Sequence, residues 1–271
     1  MKSNNYNSVY LTLEERVLVN KLRDILDEKG VEYNEDKYNE NYLIRFLIAE
    51  KYDLEKAYEK FKKYLDWYTK YEVSKIKTSY KYSDLNEVNK YYKTGYHKCD
   101  KLGRPIYIEI FEDYPLNDLF KKATTHERLN TFYIQKLERM FNDYFPICSQ
   151  FYKKYIYQMC IIMDIRNIDF TTLSKDVYQF VELRASYDQS YYPESLGQLI
   201  VVNNSKLIQT MWALVSGFID DKTRKKVLLC NNDDYKEKLL EIIDIDSLPI
   251  HFGGKCNCKE GCLNSNEGPW K

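Results

Sequence analysis

Residues 155–203 read YIYQMCIIMDIRNIDFTTLSKDVYQFVELRASYDQSYYPESLGQLIVVN, and this stretch decides the fold. It opens with the apolar run Met159-Cys160-Ile161-Ile162-Met163, which ends at Asp164. Leu173, Val177, Phe180, Val181 and Arg184 then recur at helical spacing. Tyr191-Tyr192-Pro193-Glu194-Ser195-Leu196-Gly197 follows, and a second apolar run covers Leu199 to Val202. Continuous apolar strands on both sides of a helix predict a βαβ unit in a sheet covered on both faces. The strand–helix–strand order implies a right-handed parallel pair. The connection into the second strand sets Glu194 and Gly197 beside the sheet.

Upstream, Thr12-Leu13-Glu14-Glu15 fits a capping box. Leu18, Leu22, Ile25 and Leu26 continue its helical stripe to a stop at Gly30. A second helix carries Leu43, Phe46 and Leu47. A third, capped by Asp53, carries Leu54, Ala57, Tyr58, Phe61, Leu65 and Tyr68, with Lys51 in the joint between the two. These helices predict an N-terminal lobe over residues 11–72 after a loose tail at 1–10, with a Lys-, Tyr- and Ser-rich linker at 71–83. Leu85, Val88 and Tyr92 suggest a short helix. Asp100 to Pro105 is turn chemistry feeding a strand, Ile106 to Phe111. A long helix is expected from about Thr125 to Tyr144, and Pro146 follows it closely.

Downstream of the βαβ unit, Ile208, Met211, Trp212, Val215 and Phe218 mark another helix, over 205–219. Val227 to Cys230 reads as a short strand, and Leu239, Leu240 and Ile243 as a helix. The main domain is expected over 83–254 and a Cys-bearing tail over 255–271. There is no internal repeat.

Composition narrows the function. The 271 residues suffice to bury a large core. The 41 basic and 41 acidic residues balance, which argues against bulk binding of nucleic acid. The 27 tyrosines are spread along the chain rather than gathered in one motif. The start lacks an apolar signal core, and no run approaches the ~20 apolar residues of a membrane span. Seven cysteines, an odd number, then suggest reduced thiols and a cytosolic protein.

Dinucleotide, P-loop, serine-hydrolase and zinc-protease signatures are missing. Cys160 and Arg166 have the C-x5-R spacing of a phosphatase, but the residues between them belong in an extended strand rather than a phosphate-cradling loop. No catalytic residue is assigned, and the chain reads as a non-enzyme. His97, His126 and His251 stand far apart without ligand spacing, so each reads as structural or surface. Cys256, Cys258 and Cys262 could hold a metal or carry a lipid, but they lack a paired second cluster; ordinary thiols are the default reading, and no metal site is assigned.

The segments Arg45-Phe46-Leu47 with Lys51-Tyr52-Asp53, Tyr92 to Asp100 into Gly103-Arg104-Pro105-Ile106-Tyr107, Ile162-Met163-Asp164, Tyr191-Tyr192-Pro193-Glu194 with Gly197, and Leu248-Pro249 with Phe252-Gly253-Gly254 come in an order that resembles the CRAL-TRIO lipid-transfer proteins. The resemblance covers residues 39 to 270 and is nearest to the phosphatidylinositol/phosphatidylcholine transfer proteins of the secretory pathway. It implies an α/β fold: an N-terminal helical lobe, then a mostly parallel five-stranded CRAL-TRIO sheet whose helices form a lipid pocket and gate. The function implied is cytosolic phosphatidylinositol transfer, with a lipid-sensing adaptor as the alternative. No cofactor beyond the bound phospholipid is implied. Location would be cytoplasmic and transiently peripheral on Golgi-type membranes, with a phosphoinositide kinase as a possible partner.

By the same resemblance the inositol head group would be held by Lys51, Glu194, Thr223 and Lys226, with Gly197 allowing close backbone approach. The pocket and gate would comprise Tyr107, Met159, Ile161, Met163, Met211, Trp212, Val215 and Phe218. Physical sense supports such a pocket. Exposing the ~30 methylenes of a two-chain lipid at ~0.8 kcal/mol each costs on the order of 20 kcal/mol, so carriage through water demands a closed apolar chamber with a door. Two departures stand out. Ser195 replaces a frequent Arg, and Met159 and Ile161 replace the hydroxyl side chains of the family's choline-lipid site, while Tyr107 is retained. The expectation is that phosphatidylinositol binding is kept and the second ligand, phosphatidylcholine in the family, is weakened or changed.

Overall fold

The computed structural model describes residues 11–111, 116–166, 168, 172, 174–203, 209–210, 212–213, 216–219, 221–231 and 234–271. The chain divides into two compact units. One comprises the residues up to Lys75 together with Ala185–Glu194; the other comprises Ile76–Arg184 and Ser195–Lys271.

The first unit is built on three helices, α1 (Leu13–Glu28), α2 (Glu40–Ala49) and α3 (Leu54–Lys70). Each starts where a side chain satisfies an orphan amide. Thr12 and Glu15 form a reciprocal capping box, Asn39 accepts from the Tyr42 amide, and Asp53 from that of Lys56. Leu22, Leu26, Leu43, Leu47 and Phe61 are buried between the helices. The tyrosines are part of this core. Tyr38 and Phe46 meet Phe61 edge-on at 5.5 and 5.0 Å, and the Tyr42 hydroxyl donates to that of Tyr64 at 2.9 Å, so the buried hydroxyls are paired. The segment expected as a linker after residue 71 holds a further helix, α4 (Val73–Ser79).

The second unit is organised on a five-stranded sheet: β1 (Tyr92–Cys99), β2 (Pro105–Phe111), β3 (Met159–Asp164), β4 (Leu196–Val202) and β5 (Val227–Leu229), in spatial order β1-β2-β3-β4-β5. Only β1 and β2 are antiparallel; the other pairs are parallel. The expected βαβ unit is β3, helix α8 (Lys175–Tyr191) and β4, with Ile161 opposite Leu199 and Met163 opposite Val201.

Tyr92 was expected in a short helix with Leu85 and Val88. Instead helix α5 (Leu85–Val88) ends before it, and Tyr92 opens β1. The β1–β2 turn is held by Asp100, whose Oδ1 accepts from the Leu102 and Arg104 amides at 3.0 and 2.8 Å, with Gly103 at φ +76°. The long helix does not end at Tyr144. Helix α6 (His126–Arg139) passes through a π-helical turn, Met140–Tyr144, into α7 (Phe145–Tyr152), and Pro146 falls in the first turn of α7, where its missing N–H costs little.

The two sheet faces differ. Ile106, Ile108, Ile110, Cys160, Ile162, Ile200 and Val202 point to one side and are buried against Leu239 of helix α10 (Tyr235–Ile242) and against Ile243, Leu248 and Phe252. Single helical turns lie at Asp221–Arg224 (α9) and Cys262–Ser265 (α11). Tyr92, Phe111 and Val201 lie on the opposite side with Leu129, Val177 and Phe180 of α6 and α8. No described helix is long and apolar enough to cross a membrane.

Candidate functional site

In the first unit, the Tyr191-to-Glu194 segment is held from below by α2 and α3. Arg45, only 3% exposed, donates from Nε and Nη2 to the Pro193 carbonyl at 3.2 and 3.0 Å. Trp67 stacks on Tyr191 with ring centroids 4.1 Å apart and planes 10° apart, and meets Tyr192 edge-on at 5.9 Å. This anchorage delivers Glu194 at φ +59°, a left-handed backbone that non-glycine residues seldom adopt. Lys51, beyond the end of α2, is exposed and left-handed too, at φ +54°, and Tyr52 follows at +65°. Two of the three charged residues expected at the head group, Lys51 and Glu194, thus sit on left-handed backbone; Lys226 does not. The role of Arg45 was not apparent in the sequence: a helical arginine reads as solvated, and the carbonyl it binds lies far along the chain.

In the second unit, Lys226 and Gly197 come together where β4 and β5 begin. The Lys226 ammonium donates to the Leu196 carbonyl at 2.8 Å, and the Lys226 carbonyl accepts from the Leu199 amide at 2.8 Å and Gln198 Nε2 at 3.0 Å. Thr223 is half-buried in the preceding turn, its carbonyl accepting from the Lys226 amide at 3.0 Å. Gly197 is the extra residue of a bulge, since Met159 pairs with Leu196 and Cys160 with Gln198. The close approach there is made by Arg104: a Cβ on Gly197 would lie 2.6 Å from Arg104 Nη1. Arg104 is itself paired with Asp100, Nε to Oδ2 at 2.6 Å.

The sheet face toward α6 and α8 is incompletely covered. Ile161, Met163, Leu199, Val227 and Leu229 are each only half-buried, while Ile162, Ile200 and Val202 on the reverse face are buried. The result is an apolar floor spanning β3, β4 and β5. Met159 is 3% exposed and core-like. Of the expected gate, Met211 and Val215 lie outside the described residues, as does the side chain of Phe218; Trp212 is half-buried, and Ser216–Phe218 forms a 3-10 turn.

Toward β1 and β2 the same face becomes polar. Buried Glu109 accepts from the Tyr92 hydroxyl and from Arg184 Nη2 at 2.6 Å, and Arg184 Nη1 donates to the Tyr92 hydroxyl at 2.8 Å. Arg184 lies over the Tyr133 ring at 4.3 Å. Lys136 donates to Thr94 Oγ1, and burial pulls its ammonium down to about 7. Burial also pushes the Tyr107 phenol up. Tyr92, Thr94, Tyr107, Tyr133, Lys136 and Arg184 line a cavity of about 10 Å³, room for one water, together with Leu129, Phe132 and Phe180. Cys160 and Arg166 make no phosphatase loop. Cys160 is fully buried in β3, burial lifts its thiol to about 12, and Arg166 is paired with Asp164 at 2.6 Å.

The three tail cysteines and His97, expected to be unrelated, converge. Their ligand atoms all lie within 4.8 Å of one another.

Residues 89–254 match the family described as the CRAL/TRIO domain. The chain is 36% identical over 230 residues to phosphatidylinositol/phosphatidylcholine transfer protein SFH7 of Arabidopsis thaliana, covering 84% of this chain and 42% of that protein. It is 34% identical over 249 residues to the Sec14 cytosolic factor of Schizosaccharomyces pombe, covering 90% of this chain and 86% of that one. The chain spans less than two thirds of several plant relatives, 63% of SFH11 among them. The crystal structure of Sfh5 shares the fold, with a TM-score of 0.70 at 14% identity over 95% of this chain and 94% of that chain. Sheet order, the βαβ core and the match over most of the sheet unit agree, and the chain belongs to the CRAL/TRIO domain family.

Proposed function

We propose that this protein carries a phospholipid between membranes, with phosphatidylinositol as its principal cargo. The observation that supports this most directly is the half-covered apolar floor of Ile161, Met163, Leu199, Val227 and Leu229. A folded chain buries such residues unless the surface has another use, and acyl chains are the matching cover. Names of relatives point the same way: SFH7 is a phosphatidylinositol/phosphatidylcholine transfer protein. The chemistry required is binding and release, with no covalent step.

Lys51, Glu194, Thr223 and Lys226 are proposed as head-group ligands. Ammonium groups neutralise a phosphodiester held away from bulk water, and a carboxylate accepts from ring hydroxyls. Gly197 serves by letting the Arg104 side chain approach the backbone at the start of β4. The choline lipid is the weaker cargo, because Met159 and Ile161 offer no hydroxyl to a phosphate. The protein works in the cytoplasm, docks transiently on membranes of the secretory pathway, and presents its cargo there to a phosphoinositide kinase.

Transfer of labelled phosphatidylinositol and phosphatidylcholine between two liposome populations tests this reading. Inositol-lipid transfer should exceed choline-lipid transfer, and Lys51→Ala with Lys226→Ala should reduce the former at least tenfold with the circular dichroism spectrum unchanged. Binding without movement of either lipid would make the protein a sensor and refute the carrier. Equal transfer by the double variant would refute the head-group assignment.

A further inference from the structure

We propose that His97, Cys256, Cys258 and Cys262 form a structural zinc site that fastens the C-terminal segment to strand β1. Their four ligand atoms lie within 4.8 Å of one another. Three thiolates and one imidazole are a complete donor set for tetrahedral zinc. With zinc–sulfur bonds of about 2.3 Å, a regular tetrahedron puts its sulfurs about 3.8 Å apart. Cys256 Sγ and Cys258 Sγ are 3.8 Å apart.

His97 supplies an independent observation. It is fully buried, and its Nε2 has no hydrogen-bond partner. A buried ring nitrogen without a partner is costly, and a metal ion removes that cost. The other ring nitrogen, Nδ1, lies 3.3 Å from Ser265 Oγ, and Ser265 Oγ also donates to the Cys262 carbonyl at 2.9 Å. A ligating histidine oriented by a second hydrogen bond is the usual arrangement at such sites.

The backbone brings the donors together. The Gly261 amide donates to the Cys258 carbonyl at 2.9 Å, and Gly261 takes φ +80°, turning the chain so that Cys262 returns toward Cys256. Pro249 and Cys256 form a β-bridge that fixes the start of the loop. Gly95, two residues before His97, lies so close to Leu263 that a Cβ would meet its carbonyl oxygen at 2.1 Å. The Lys98 amide donates to the Glu267 carbonyl at 2.5 Å. The segment therefore lies against β1 on both sides of His97, and one ion would clamp it there. Zinc suits the set because three thiolates disfavour magnesium, calcium and manganese.

The test uses the full chain purified under a phosphine reductant, with metal content measured by inductively coupled plasma mass spectrometry. About one zinc per chain is expected. Cobalt(II) added to chelator-stripped protein should give thiolate charge-transfer absorption and the strong visible bands of a tetrahedral site. Cys258→Ser, at the most exposed thiol of the set, should weaken zinc retention at least tenfold against a chelator while the protein still folds. The proposal is overturned if the reduced chain holds no zinc and stripped wild type gives no cobalt charge-transfer band. Iron or copper at stoichiometric level would overturn the choice of zinc, and zinc retained equally by Cys258→Ser and His97→Ala would overturn the ligand set. None of these readouts depends on lipid transfer.

Discussion

Replacing Arg45 by Met keeps the length of the side chain's stem and removes only its guanidinium. The guanidinium gives Pro193 two hydrogen bonds, at 3.2 and 3.0 Å, inside the buried part of the first unit. Hydrogen bonds from charged donors contribute about 1.5–3 kcal/mol each, and a buried carbonyl left without a donor costs about 1–3 kcal/mol. The two bonds share one acceptor, so these contributions overlap and the expected loss is about 3 kcal/mol. For a chain of this size that lowers the melting temperature by about 6–12 °C.

The functional effect of Arg45→Met should be larger than the loss of stability alone. Glu194 keeps its left-handed conformation only while the Pro193 carbonyl is fixed, and relaxing that residue to an ordinary backbone relieves about 1–3 kcal/mol of strain. Inositol-lipid transfer, measured well below the melting temperature so that the variant is folded, should fall at least tenfold. Arg45→Lys, which keeps the charge and one donor, should recover part of both losses. A variant that melts within 2 °C of wild type (about 1 kcal/mol or less) and transfers lipid normally would refute the clamp.

Glu109→Ala should destabilise the second unit by about 3–5 kcal/mol, because it leaves Arg184 buried without its carboxylate; thermal unfolding measures it, and an unchanged melting temperature would be decisive against it. Glu109→Gln should cost less, since it still accepts from Tyr92 and Arg184. Asp164 makes stability depend on acid. Burial alone would raise its carboxyl, but hydrogen bonds from His251, Arg166 and Asn203 outweigh that and hold it at about 2, below the ordinary 3.8. The unfolded chain then binds the proton more readily. The contribution is complete above the ordinary value and is lost as pH falls through about 2, a difference of roughly 2 kcal/mol. Denaturant titrations from neutral pH to about pH 2 should show wild type losing that increment and Asp164→Asn not losing it; parallel curves would refute the assignment.

How much of this was legible in the sequence depended on whether the cause was local. The β3–α8–β4 core was readable because both sheet faces at β3 and β4 are apolar, so the strands stand out as continuous runs on either side of a helical period. β1 was not, because Tyr92–Cys99 mixes Lys, Thr, Gly and His and its burial does not alternate, Gly95 being covered by Leu263 from far along the chain. The helical run expected to end at Tyr144 continues to Tyr152, because Pro146 falls in the first turn of α7, where a proline is tolerated. The Tyr191-to-Glu194 segment was visible as a motif, but the arginine that holds it lies on another element and looks like any surface charge. His97 and the cysteines were invisible as a set for the same reason. Ligand spacing is a local signal, and this set draws one member from the first strand of the sheet.

The family match stops at residue 254, yet the fold does not. Leu263 rests on Gly95, Glu267 accepts from Lys98, and Trp270 stacks on Tyr144 at 4.5 Å. Trimming the gene at the conventional domain boundary would therefore strip the outermost strand of its cover and expose a raw sheet margin, an invitation to intermolecular pairing and precipitation. The last seventeen residues belong to the fold itself, and a recombinant version that keeps them should stay monodisperse where the shortened one does not.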